Sequence, residues 1–308
     1  MSRNCKNQDG QAIVLMAISL TMLMGMAALV LDVGLWMRSD RRLQQTADAA
    51  ALAGAQMLPA DPAGAKALAL NYADQNGGNV LAANIVVSTT YTSNDTISVD
   101  AAKNEPGIFC KVIGIDSAGI KASAKARTDS PQQVRNVAPM VVSCNHPLIQ
   151  NCNGNHTPTF NVNTTMDFND MGAPGAFGML NLDGGNGTPG SSEEGEWILH
   201  GFDKYLGIGK YRSDPGAKFS SSNVNGALDD RVGTVLLFPV FKTLDGTGQN
   251  AEYDIIGWIG FYLTKETTHG NSATLEGYFT EYIAQGILAS SGSGIPSTFG
   301  VKSVQLIG

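Results

Sequence analysis

The chain has 308 residues, the length of about two domains at roughly 100–200 residues each, and its 43% apolar content is that of a folded protein. The formal charge is −7, and residues 1–58 carry five Lys or Arg against four Asp or Glu, so the acidic excess lies beyond them and argues against a nucleic-acid-binding surface. Thirty-six glycines and only 15% charged residues indicate many turns and few ion-paired helices, which points to β-rich structure after residue 80.

The first element is the run AIVLMAISLTMLMGMAALVL, Ala12 to Leu31, which carries no charge and whose polar side chains are Ser19 and Thr21. A helix rising about 1.5 Å per residue over this length covers the roughly 30 Å hydrocarbon core of a bilayer. A cleaved secretory signal would have a shorter apolar region, about 7–15 residues, ending in a small-residue site. Within the span Ala17, Thr21 and Gly25 recur every fourth residue and put small side chains on one stripe, where another helix can approach closely. Asp32, Trp36, Arg38, Arg41 and Arg42 follow, the order expected of a helix leaving a membrane through an aromatic and charged border. Arg3 and Lys6 precede the span and three arginines follow it, so charge alone gives no orientation.

Beyond the border, RRLQQTADAAALAGAQML places Ala47, Ala51 and Ala55 on one helical stripe, with Ala50 and Gly54 on the next. A face this shallow buries little area but admits another backbone, so it suits packing against a sheet or a sister helix. Pro59 and Pro62 end it, and Asp61 with Pro62 starts a second helix that runs to about Gln75 and stops at Asn-Gly-Gly. NIVVSTTY, TISVDAA and IKASAKA then read as strands, with IFCKVIGI between the last two, making a small α+β unit over 60–127 after an N-terminal segment over 1–59.

GQAIVLMAISLTMLMGMAALVLDVGLWMRSDRRLQQTADAAALAGAQML, Gly10 to Leu58, closely resembles the N-terminal motif of the TadE/TadG-like proteins of the bacterial Tad (Flp) pilus-assembly system. Gly-Gln before the span, LDVG at its end and RRLQQTADAAALAGA after it carry the resemblance. It continues more loosely through Phe109 to Ala126, Ala227 to Phe241, Ile255 to Leu263 and Leu275 to Ile283. The resemblance implies a single-pass protein of the bacterial cytoplasmic membrane, its N-terminus cytoplasmic and its bulk outside, acting without enzymatic activity in pilus assembly, anchoring or adhesion. It also raises prepilin-type processing between Gly10 and Gln11. Leu15 stands five residues after that junction, where pilins usually carry Glu, and this favours an uncleaved anchor. The D-x-S-x-S metal motif found in some TadG-like proteins does not occur in this sequence.

TDSPQQVRNVAP, Thr128 to Pro139, reads as an exposed linker to a β-rich outer domain over 140–308, an antiparallel sheet or sandwich. Near its start Cys144 and Cys152 stand eight positions apart in a polar loop, where a disulfide would close a small ring in an oxidising compartment. A zinc site of these cysteines with His146 and His156, or unpaired thiols, remain the alternatives at this point. GNGTPG, Gly185 to Gly190, matches G-x-G-x-x-G, but Glu193, Glu194 and Glu196 would repel a pyrophosphate from the helix that follows, so it reads as a surface loop. Ser191 and Glu194 fit a capping box for that helix.

TVLLFPVFK, YDIIGWIGFYLTK and SATLEGYFTEYIAQ then form a three-stranded antiparallel meander. In the second strand Tyr253, Ile255, Ile259, Phe261 and Leu263 alternate with Ile256, Trp258 and Tyr262, so both faces are expected to be covered; Pro239 marks an edge or bulge in the first. No G-x-S-x-G, H-E-x-x-H or phosphate-loop motif is present, and no cofactor or small-molecule substrate is expected. Glu193 to Glu196, Asp229, Asp230 and Asp245 supply oxygen ligands suited to calcium, against which stands a solvated acidic face. Two functional classes follow. One is a membrane-anchored assembly protein, for which a bulky Ala51→Leu is expected to disturb assembly; the other is a membrane-tethered extracytoplasmic hydrolase with an unrecognised site.

Overall fold

The structure is a computed structural model and describes residues 9–153, 156–168, 176–184, 188–216, 218–288 and 299–307. The chain divides into two compact units, Met1–Arg127 with Leu306–Gly308, and Thr128–Gln305.

The first unit starts with one helix, α1 (Asp9–Ala55), followed by α2 (Pro62–Gln75). Asp61 caps α2 by accepting the Gly64 N–H at 2.8 Å, and Gly77 and Gly78, both at positive φ, turn the chain out of it. β1 (Val80–Ser88), β2 (Thr96–Pro106) and β3 (Ser117–Asp129) form an antiparallel meander, with a 3-10 turn at Cys110–Ile113 inside the last connection. Ile85, Ile97, Val99, Ala101, Ala122, Ala124 and Ala126 are among its buried side chains, and α1 lies on β2 and on α2. The unit is therefore α+β, as its alternating strands and alanine-rich helices imply.

The second unit contains β4 (Pro131–Val134), β5 (Met140–Ser143), β6 (Asn163–Phe168), β7 (Ala176–Met179), α3 (Ser191–His200), β8 (Leu206–Gly207), β9 (Gly209–Arg212) and α4 (Ser222–Arg231). β10 (Val235–Asp245), β11 (Glu252–His269), β12 (Ser272–Thr280), β13 (Tyr282–Ile283), β14 (Gly286–Leu288) and β15 (Val301–Leu306) complete it, the last residue of β15 falling in the first unit. Among the described residues one sheet has the order β10-β5-β7-β6-β12-β11-β9, and a further β10–β11 pairing closes the strands from β10 to β11 on themselves. The meander β10-β11-β12 is antiparallel as expected, and the unit is β-rich as expected; β5–β10 and β6–β7 pair in parallel, so its sheet is mixed.

Three local readings change. The stretch 128–139 is not an exposed linker: β4 pairs with β14 and β8, and Val134, Val137 and Ala138 are buried. β10 runs through Pro239, which pairs with Trp258, and is paired on both sides, so Pro239 marks no edge; the irregularity expected there comes one residue later, where the register shifts between Val240 and Phe241. β11 does not keep one alternation: Tyr253, Ile255 and Trp258 enter one core cluster, whereas Ile256, Ile259, Phe261 and Leu263 pack in or against the other. The slip falls at Ile256, which the register shift against β10 leaves without a partner between Ile255 and Gly257; at Gly257 a Cβ would stand 2.4 Å from the Phe299 ring, so a bare backbone lets that ring approach the strand.

Candidate functional site

The first half of α1 presents its apolar side chains outward. Ile13, Leu15, Met16, Ile18, Leu20, Met22, Leu23, Met26 and Val30 are all at least 50% exposed, and the helix is long and apolar enough to cross a membrane. Its two polar side chains bond to the helix itself: Ser19 donates to the Leu15 carbonyl at 2.8 Å, and Thr21 to those of Ala17 and Ile18 at 3.1 and 2.9 Å. That local pairing is what a hydroxyl needs where no water is at hand. Ala17, Thr21 and Gly25 lie on the exposed surface, and a Cβ added at Gly25 would meet nothing within 4 Å.

The second half of α1 is the reverse. Leu43, Ala47, Ala50, Ala51, Ala53 and Ala55 are buried, as are Ala65, Ala69 and Ala73 of α2. At Gly54 a Cβ would stand 2.6 Å from Ile97 Cδ1 and 2.8 Å from the Ala65 carbonyl oxygen, so the two helices and the sheet meet at van der Waals distance only because this residue has no side chain. The partner of the Ala47, Ala51 and Ala55 stripe is thus this chain's own α2 and sheet.

Between the halves sits Asp32. Expected as part of the charged border, it is buried, and its carboxylate accepts the backbone N–H groups of Ile108, Phe109 and Cys110 at 3.0, 2.9 and 2.6 Å. An anion placed just past an apolar run requires such donors, because an unpaired buried charge is costly. Trp36 is half-buried against Gly107, while Arg38, Arg41 and Arg42 remain exposed, as a border requires. One turn on from Trp36, Ser39 donates to Glu105 at 2.7 Å, and Lys103 pairs with the same carboxylate at 2.7 Å. Those two partners, Lys103 first, hold the Glu105 carboxyl below its usual value. Thr46 donates to the Asn76 carbonyl at 2.7 Å and Gln44 to that of Ser123 at 3.0 Å, so polar contacts fasten the helix along its length. Ser39, Glu105 and the 107–110 segment gave no sign in the sequence, since their partners are 66 to 78 residues away.

In the second unit Cys144 and Cys152 are bonded, with Cα atoms 4.9 Å apart. The bond consumes both thiolates that zinc would need. His146 is buried, accepts the Leu148 N–H at 3.2 Å and meets the Phe279 ring edge-on at 5.0 Å; burial lowers its pKa to about 4, so it is a neutral core residue. No cluster of His, Cys, Asp or Glu that could hold a metal ion occurs among the described residues. Of the candidate calcium ligands, Asp245 pairs with Lys210 at 3.1 Å and Glu194 turns inward to Lys218 at 2.8 Å.

Lys218 also meets Asp214 at 3.0 Å, and both carboxylates are buried. Burial first, then the neighbouring Asp214 carboxyl, raises Glu194 to about 8, and the lysine opposes both. This inward turn also corrects the capping box: Gly190 occupies the N-cap of α3 without a side-chain bond. Part of the Gly185–Gly190 loop lies outside the described residues. The processing junction Gly10–Gln11 falls in the first turn of α1.

A family model described as "Putative Flp pilus-assembly TadE/G-like" matches residues 10–57. No curated protein and no solved structure matches the chain. The matched residues run from the start of α1 through its exposed and buried halves to the turn after it, so the chain is similar to TadE/G-like Flp pilus-assembly proteins across its first helix.

Proposed function

We propose that the protein is a single-pass, non-enzymatic component of a Tad/Flp-type pilus-assembly system, held in the bacterial cytoplasmic membrane by residues 12–31. The residues before the span are cytoplasmic; the two folded units lie outside, where they meet pilus subunits or other envelope proteins and serve anchoring or adhesion. The observation that carries this reading is the division of α1 within the matched segment, with large apolar side chains exposed up to Leu31 and a packed alanine face from Leu43 onward. The Cys144–Cys152 bond supports the outward orientation, because disulfides persist in oxidising compartments. Enclosure of Glu194, Asp214 and His146 supports a structural role for the groups that a hydrolase would otherwise use. Leu15 supports an uncleaved anchor.

Deleting the chain from its own cell is expected to abolish Flp pili, and supplying residues 1–308 to restore them; unchanged piliation on deletion overturns the reading. Protease added to spheroplasts should degrade the folded units, whereas digestion only after permeabilisation would place them inside. N-terminal sequencing of the envelope-bound protein should find the residues before Gln11 retained; a start at Gln11 replaces the permanent anchor with a processed, pilin-like subunit.

A further inference from the structure

The loop that binds Asp32 has a surface that pairing with Asp32 does not explain. Ile108 is 59% and Val112 89% exposed, and Phe109 and Ile115 are also exposed, so an apolar loop points away from the fold that holds it. Its height relative to the span is fixed from both sides. Asp32 ties its backbone at three N–H groups, and Phe109, Cys110 and Val112 form one apolar groove of about 510 Å³ with Met24, Gly25, Leu29 and Leu31. Met24 is seven residues before Leu31, which at about 1.5 Å per residue is roughly 10 Å along the helix. Side chains that share a groove with residues 24–31 stand at the depth of the last two turns of the span.

The backbone of the loop is suited to that depth. Besides the three N–H groups given to Asp32, Gly107 donates to the Asp116 carbonyl at 2.9 Å, Val112 to Phe109 at 3.1 Å, Gly114 to Lys111 at 3.1 Å and Ile115 to Cys110 at 3.0 Å. A non-helical segment survives near hydrocarbon only when its polar backbone groups are satisfied from within the protein. Exposed Lys111 in the loop and Arg38, Arg41 and Arg42 beyond it supply the cationic rim that anionic headgroups attract.

We propose that residues 107–116 are a second membrane contact, in which Phe109 and Val112 enter the outer leaflet beside the end of the span and fix how the first unit stands on the bilayer. The occupant is lipid, on the argument of continuity: the groove is walled on one side by the span itself. The inference rests on reading residues 12–31 as that span.

The test uses the full chain with Cys5→Ser and Cys110→Ala, which keeps the backbone N–H given to Asp32 and leaves no free thiol, carrying one added cysteine at a time, Met22→Cys, Val112→Cys or Ser93→Cys, labelled with an environment-sensitive fluorophore. Each protein is reconstituted in phosphatidylcholine/phosphatidylglycerol vesicles with or without lipids bearing a nitroxide high on the acyl chain. Ser93 is the reference, since it sits in the β1–β2 turn at the end of the sheet opposite Pro106, about 30 Å away at roughly 3.3 Å per strand residue. The expected result is blue-shifted emission and loss of intensity with nitroxide lipid at both Met22 and Val112, with neither change at Ser93. Quenching at Met22 while Val112 behaves like Ser93 overturns the proposal and leaves the span intact. No quenching at Met22 overturns the span, and the proposal falls with it.

Discussion

Residues 12–31 and 43–55 belong to one continuous helix and differ in what surrounds them. In the first stretch the long side chains, Leu, Ile and Met, stay exposed, and only its last two turns face another segment, the 109–112 loop; in the second the inward side chains are mostly alanines, and nearly every one is fully buried. Side-chain size reports the neighbour. Lipid chains conform to any apolar outline and reward area, whereas a packed helix or sheet is rigid and rewards a shape that lets two backbones close in. Asp32 is the joint between these environments. Its carboxylate would be a liability at the end of an apolar run, and the 108–110 backbone turns it into the point at which the fold grips the helix.

The sharpest way to break this comparison is to make the same substitution in both halves. Gly54→Leu drives a side chain into Ile97 and the Ala65 carbonyl, and should cost about 3 kcal/mol of first-unit stability, read as a lower thermal or denaturant midpoint. Gly25→Leu, with open space around it, should leave that midpoint unchanged; an equal loss at both sites would mean that the span is packed too. Asp32→Ala should release the amides of Ile108, Phe109 and Cys110 to exchange while β1 and the start of β2 stay protected, and retained protection at 108–110 would remove Asp32 from the joint.

A smaller effect is expected at Ser39→Ala, about 1 kcal/mol at neutral pH, for one hydrogen bond to Glu105. Glu105 is held below its usual pKa of 4.5 by Lys103 and Ser39, so its contribution is present above that value and is lost as pH falls through the lower folded-state value. The difference between Ser39→Ala and the parent should shrink across that acid window, and a difference independent of pH would assign the loss to packing instead. The smallest change expected is at Ala17→Leu on the exposed stripe, with no shift in the midpoint of the isolated protein.

Much of the architecture was legible because it is written in neighbouring residues. The apolar run, the Asp61–Pro62 start of α2, the Asn-Gly-Gly stop and the β10-β11-β12 meander are all local patterns, and the structure has them. What escaped depends on partners far along the chain. Val134 and Val137 looked like part of a linker because Pro131, Pro139 and polar residues surround them, and only the pairings of β4 with β14 and β8 explain their burial. Glu194 stands three residues after Ser191 as a capping box requires, but Lys218 draws it inward. The parity slip in β11 goes with its register shift against β10, where Val240 pairs with Gly257 and Phe241 with Ile255, and the parallel β5–β10 pair joins segments about a hundred residues apart. At the joint, IFCKVIGI was visible as an apolar run between strands, yet its acceptor was an aspartate in the first helix that its own neighbourhood assigned to a membrane border.

The most direct measurement is amide exchange along α1, followed by mass spectrometry of the full chain in lipid vesicles, for the parent and for Gly54→Leu. If the helix has two surroundings, residues 43–55 and β2 gain exchange in the variant while 12–31 remain as protected as in the parent. Exchange that rises along the whole helix, or 12–31 that are unprotected from the outset, would contradict the account.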